Sequence, residues 1–355
     1  MDAILHIPLL GVLLQFVGYL VQVMVNNSAL IVTLSTPIAL GALCGFMNER
    51  SGVVNIGIEG MMIAAAFSAQ FVAAVAQGGI PPTGGGPLGI TGPLLIGLVA
   101  ALITGVLVSA VHAYLSITVR ADQIISGTIV NIVALGATAY LSLLVSQHPP
   151  LSAGNFATLA FPAGVTGIPI LGWLISTFLE QGPTTLLMLV LVIILQVLLF
   201  RSRWGLRTRA VGEHPRAAET LGIDVIRLRY RNVLLGGLLA GLAGAWFTID
   251  YGNSFEPGMT NGRGFIALAA LIFGRWTPVG AFGAALLFGV ADALGTAIRQ
   301  SPPTGDLGNV LNAVPEQFFG ALPYLVTIIV LAGVVGRSLA PAADGQPYER
   351  ESKTA

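Results

Sequence analysis

Stretches of about 20 mainly apolar residues, the length a helix needs to cross a bilayer, recur ten times along this chain. They fall near residues 8–25, 28–47, 53–77, 92–117, 123–146, 183–200, 232–249, 262–276, 278–297 and 320–336. Of the 355 residues, 55% are hydrophobic and 9% charged, against about 25% charged in soluble domains. A water-soluble globule so composed could not cover its own surface. Disorder is excluded by the same numbers, because disordered chains are poor in apolar residues and rich in charge. The expected fold is all-α: a polytopic membrane protein of about ten transmembrane helices. The stretch 167–180 is apolar but short and bracketed by Pro and Gly, so an interfacial or re-entrant piece is expected there. The N-terminal run has no Lys or Arg ahead of it and no small-residue cleavage pattern behind it, so a retained span is expected there.

Charge sets the orientation. The formal net charge is zero, which gives no general attraction to nucleic acid, but the charges are unevenly placed. Arg201, Arg203, Arg207, Arg209, Arg216, Arg227, Arg229 and Arg231 are eight of the 16 basic residues and share one connection, 201–231. The positive-inside rule puts that loop in the cytoplasm. Counting spans outward from it, Arg50, Arg120, Arg275, Arg337 and both termini fall on the same side, which fits an even count of ten. The other connections are different in kind: 78–91 is an uncharged Pro/Gly loop, 147–181 has Glu180 as its one carboxylate, and 301–320 is rich in proline. None holds a soluble domain. The expected organisation is one membrane domain, 1–337, with the cytoplasmic loop 201–231 inside it and a polar cytoplasmic tail, 338–355.

Several chemistries are missing. No glycine-rich phosphate loop ends in Gly-Lys-Ser/Thr, and the one lysine is Lys353 in the tail, so no nucleotide motor is encoded here. His6, His112, His148 and His214 are scattered, with no His-Glu-x-x-His or Gly-x-Ser-x-Gly pattern. Cys44 is the single cysteine; it excludes an internal disulfide and a Cys-based zinc site, and a small buried hydrophobe is expected. The chain is therefore expected to have no catalytic residue, no metal site and no bound cofactor.

Polar side chains inside spans are costly, and each marks a candidate function. Asn55 and Glu59 are spaced i, i+4, which on a helix puts them on one face. Gln123, Gly127 and Asn131 repeat that spacing in the fifth span, and Asp292 lies in the ninth. Two uses are open: lining a water-filled path for a polar solute, or hydrogen bonding to neighbouring helices. The pairs Gly237/Gly241 and Gly280/Ala284 have small-xxx-small spacing and are read as packing. In the arginine-rich loop, Gly212-Glu213-His214-Pro215-Arg216-Ala217-Ala218-Glu219-Thr220-Leu221-Gly222 predicts a short helix from Pro215 stopped at Gly222. Flanking arginines suit anionic lipid, and the ordered middle with both charge signs suits a protein socket.

At this loop the sequence resembles ABC transporter permeases, whose coupling motif is Glu-Ala-Ala-x-x-x-Gly. The match is Arg216-Ala217-Ala218-x-x-x-Gly222, with Arg at the first position, and the motif's downstream Ile-x-Leu-Pro is missing. Those departures point to the branched-chain amino acid, sugar and nucleoside group. Glu49-Arg50-Ser51-Gly52-Val53-Val54-Asn55-Ile56-Gly57-Ile58-Glu59-Gly60-Met61 is similar to its nucleoside-type members. So are Ala121-Asp122-Gln123-Ile124-Ile125-Ser126-Gly127 with Asn131, and Gly262–Ala270 leading to Phe273-Gly274-Arg275-Trp276. The likeness covers roughly residues 30–336. It implies a multi-pass importer subunit of a prokaryotic plasma membrane, working with a second and non-identical permease, separate ATP-binding subunits carrying ATP and Mg, and an external substrate-binding lipoprotein.

On that resemblance Glu213, His214, Pro215, Arg216, Ala217, Ala218, Leu221 and Gly222 are the expected contact with the ATPase. Asn55, Glu59, Gln123, Asn131 and Asp292 are the candidate translocation path. The solute is left open among nucleoside, sugar and branched-chain amino acid. An ion-gradient-driven secondary carrier for a small polar solute is the alternative.

Overall fold

A computed structural model describes residues 8–78, 86–146, 153–333 and 339–349. Residues 79–85 of the 78–91 loop, His6, His148, Arg337 and Lys353 lie outside the described residues. The described residues are helical with no strand. In chain order the helices are α1 (Pro8–Asn26), α2 (Ser28–Glu49), α3 (Ile58–Gln77), α4 (Gly92–Ala113), α5 (Gln123–Ser146), α6 (Ala163–Thr166), α7 (Leu171–Phe178) and α8 (Pro183–Arg201). They continue with α9 (Arg203–Glu213), α10 (Pro215–Thr220), α11 (Val225–Ala245), α12 (Arg263–Phe273), α13 (Pro278–Gln300), α14 (Asp306–Asn312), α15 (Glu316–Gly320) and α16 (Leu322–Gly333). A helix stands at each of the ten expected positions. Among the described residues seven are long and apolar enough to cross a membrane: α2, α3, α4, α5, α8, α11 and α13, with α4 and α11 each extended by a π-helical turn. The eighth expected span, 262–276, is an 11-residue helix, about 16 Å long at 1.5 Å per residue, roughly half the hydrocarbon thickness. The apolar stretch 167–180 forms the eight-residue α7.

The chain divides into two compact units. One holds residues 1–35, 161–181 and 286–336, with a core of Val23, Leu294, Ala297, Ile298 and Phe319. Gln181 ties its segments together: Oε1 accepts from Thr33 Oγ1 at 2.6 Å, and Nε2 donates to Ala29 O at 3.0 Å and Thr177 O at 2.8 Å. Asp292 belongs to this unit, half-buried on α13.

The other unit holds 36–160, 182–285 and 337–355, and α3, α4 and α11 form its centre. Small residues let these backbones touch, as expected where lipid offers helices no hydrophobic drive to associate. A Cβ on Gly241 would lie 2.7 Å from Ala101 O, one on Gly97 2.6 Å from Ala69 O, and one on Gly237 2.6 Å from Gly105 O. The Gly237/Gly241 pair is thus a true helix contact. Gly280 of the second pair abuts Gly274 and Thr277 in the turn before its own helix instead. Burial sorts the spans: α11 is mostly inside, while α4, α5 and α8 turn Leu95, Val99, Ile103, Leu107, Ile125, Ile129, Ile132, Ile193 and Val197 outward. An outer surface of that composition belongs in lipid.

Candidate functional site

Between α2 and α3 the chain leaves helical geometry. Residues 53–55 have no regular structure, 56–57 turn, and α3 begins only at Ile58. Asn55 and Glu59 therefore do not share a helical face, as their spacing predicted. The free backbone groups of this segment, buried among apolar helices, each cost several kcal/mol if left unpaired. Side chains from α4 and α5 pair them. Val54 N donates to Gln123 Oε1 at 2.7 Å, and His112 Nε2 lies 3.0 Å from Val54 O. A carbonyl only accepts, so Nε2 carries the proton, and in the neutral ring Nδ1 accepts from Ser126 Oγ at 3.0 Å. Asn131 is bidentate: Nδ2 donates to Ile56 O at 2.9 Å, and Oδ1 accepts from Gly60 N at 2.7 Å. Asn55, fully buried, closes its own turn by accepting from Gly57 N at 2.9 Å.

Gly127 makes this fit possible. A Cβ there would lie 2.8 Å from Gly57 N, so only glycine admits the segment between Gln123 and Asn131. The expected stripe of α5 is real, and its members hold backbone. Asn131→Ala leaves both Ile56 O and Gly60 N without their partner, which is expected to lower unfolding stability by about 1–3 kcal/mol. Thermal unfolding of the purified protein measures it.

Glu59 sits on the first turn of α3 and accepts three bonds. Its Oε1 takes Thr260 Oγ1 at 2.6 Å and Gly262 N at 2.8 Å, and Oε2 takes Gly264 N at 2.6 Å. It is the N-terminal cap of the half-length helix α12, where free N–H groups and the helix dipole favour a carboxylate. Asp250, which sequence reasoning passed over, does the same for α8 by accepting from Thr184 N at 3.1 Å and from Thr184 Oγ1. Thus Asn55, Glu59, Gln123 and Asn131 cluster around one break in the helical backbone. Asp292 lies in the other unit.

The same segment reaches the arginine-rich loop. Arg229, buried on α11, donates from Nε to Ser51 O at 3.0 Å, and Arg50 lies 4.0 Å from Glu213 at the end of α9. The peptide oxygen of Arg50 packs directly on Gly212. Helix α10 follows with Pro215 at its first position. Ala218 is buried against Val211, Val225 and Tyr348, while His214, Arg216, Ala217 and Thr220 are exposed, and Leu221 is 82% exposed. The helix stops at Gly222, whose φ is +81°. Ile223 N donates to Ala218 O at 3.1 Å, the six-to-one bond of a Schellman end, and Ile223 packs on the same cluster. So an anchored helix with an exposed outer face lies between α9 and α11, and those two helices touch Arg50 and Ser51 just ahead of the unwound segment.

The family model for the branched-chain amino acid transport system permease component matches residues 27–331. The chain belongs to that family. The guanosine ABC transporter permease protein NupQ of Bacillus subtilis is 39% identical over 317 residues, 88% of this chain and 93% of its own. The nucleoside ABC transporter permease protein NupC of Lactococcus lactis is 36% identical over 314 residues, with the same shares covered. A second Bacillus subtilis protein, the guanosine ABC transporter permease protein NupP, is 26% identical over 269 residues, 72% of this chain and 69% of its own. No solved structure matches the chain. The resemblance carried by the 49–61, 121–131, 216–222 and 262–276 segments is thereby borne out: this is an ABC transporter permease and a multi-pass membrane protein. Each of those segments is a place where this permease breaks, caps or exposes a helix.

Proposed function

We propose that this permease is the membrane subunit of an ATP-driven importer for a nucleoside or similar small polar solute. It pairs with a second, non-identical permease and couples through α10 to separate ATP-binding subunits that hold ATP and Mg. Its membrane domain spans about ten times with both termini and loop 201–231 in the cytoplasm, in a prokaryotic plasma membrane, and an external lipoprotein delivers the solute. The names of NupQ and NupC support the nucleoside class, and the match to both NupQ and NupP of one organism supports a non-identical pair.

The observation that carries the coupling is the linkage just described. Movement of α10 is passed through Gly212–Arg50 and Arg229–Ser51 to residues 53–57, and from there to Glu59 and the start of α12. Such a linkage suits a two-state switch biased by nucleotide. The test is reconstitution into liposomes with and without the ATP-binding subunits. Uptake that needs those subunits and ATP is expected; uptake by this chain alone on an ion gradient would establish the secondary carrier instead.

A further inference from the structure

Residues 339–349 read as polar tail in the sequence, yet Pro341, Ala343 and Tyr348 are buried. The segment is packed on α9 and α10. Ala343 N donates to Gly212 O at 2.8 Å, and Ala342 N to Glu213 Oε2 at 3.2 Å. The Tyr348 hydroxyl bonds the Glu219 carboxylate, and its ring joins Val211, Ala218 and Val225 in one apolar cluster. Arg229 donates from Nη1 to Gln346 O at 3.0 Å and lies 5.9 Å from the Tyr348 ring centroid, within cation–π range. Arg120 pairs with Glu349 at 2.6 Å. Burial pushes the Asp344 carboxyl up to about 7, although the nearby Arg229 charge and the Gly345 N–H favour its ionised form.

Helix α10 has six residues, far below the roughly 12–15 at which an isolated helix begins to hold in water. Its position is set by what is packed on it, and Tyr348 is a large part of that. Between them α10 and the segment form a groove of about 710 Å³. One wall is 213–217 and the other is Ala342, Ala343 and 346–349. Charges of both signs, Glu213, Arg216 and Glu349, line it together with the smaller Pro215, Ala217 and Pro347. The groove is continuous with the exposed face of α10.

We infer that Leu339–Glu349 is the second wall of the docking surface for the ATP-binding subunit, which it grips together with α10 while fixing the set of that helix. The inference rests on the reading of α10 as the coupling helix. The complementary surface is a ridge with a small apolar crest and flanking charges of both signs, the usual make-up of a protein interface with a polar rim.

The experiment uses the assembled complex of permeases and ATP-binding subunits. Cys44 is the single cysteine and is buried, so a Cys44→Ser chain accepts one new cysteine cleanly. A photoactivatable thiol label on Gln346→Cys or Pro347→Cys is expected to form an adduct with the ATP-binding subunit, as is the same label on Arg216→Cys of α10. Tyr348→Ala is expected to cut solute uptake about fivefold or more, the range of a coupling energy of 1–3 kcal/mol. Tyr348→Phe, which keeps the ring, is expected to retain most of it. Adducts from Arg216→Cys alone overturn the inference and leave the coupling helix standing. Adducts from no position overturn both.

Discussion

Valine in place of Gly222 is expected to leave the permease inserted and assembled while uptake per ATP hydrolysed falls about tenfold, within the 5–150-fold span of coupling energies. The substitution isolates the backbone. A side chain at this position meets nothing within 4 Å, so no clash arises, but the φ of +81° is one that β-branched residues rarely adopt. Holding valine there costs about 1–3 kcal/mol. Unwinding the end of α10 relieves that cost and breaks the Ile223 N to Ala218 O bond that closes the helix. The exposed face of α10 then loses its fixed angle, while the buried parts of the permease are untouched. Asparagine tolerates left-handed geometry, so Gly222→Asn is expected to stay near wild type. Uptake and ATP hydrolysis measured together in proteoliposomes decide it: normal coupling in the valine variant would remove α10 from the mechanism.

The second large effect is expected at Glu59. Glu59→Gln replaces two acceptor oxygens by one, and its amide N–H₂ must face Gly264 N or the pair Gly262 N and Thr260 Oγ1. At least one donor at the start of α12 is left facing another donor, and the carboxylate's attraction to the helix dipole is lost. The expected loss is about 2–4 kcal/mol, since hydrogen bonds to charged groups are worth about 1.5–3 each. Unfolding temperature should fall by about 3–5 °C, from an unfolding entropy of about 2.1 cal/mol/K per residue over 355 residues. A cap predicts that uptake falls with the folded fraction and that the apparent KM for solute is unchanged. Unchanged unfolding with lost uptake would support a place for Glu59 in the translocation path.

The spans were legible because lipid demands long apolar runs, and α5 and α8 needed no further information. The break at 53–57 was not legible. Val53-Val54-Asn55-Ile56-Gly57 is as apolar as the helices around it, and what makes non-helical backbone tolerable there lies 69, 58 and 75 residues away in Gln123, His112 and Asn131. The polarity of Asn55, Glu59, Gln123 and Asn131 announced a site, and most of their bonds go to backbone. Glu59 illustrates why: its partner Thr260 is 201 residues distant, and no spacing rule reaches so far. The short helix and its Gly222 stop were readable because capping is local chemistry. The packing of Tyr348 on that helix was hidden by a polar composition that suggested a free tail.

The glycine contacts of α4 and α11 bear on motion. Where Gly105 meets Gly237 and Gly241 meets Ala101, main chain touches main chain with no side-chain layer to slide or rotate. Contact that close leaves little room for relative displacement, so these two helices are expected to move together. A hinge within this part of the permease is expected where the helical ladder is interrupted and side chains of α4 and α5 pair the backbone, in the few residues between Gly52 and Ile58.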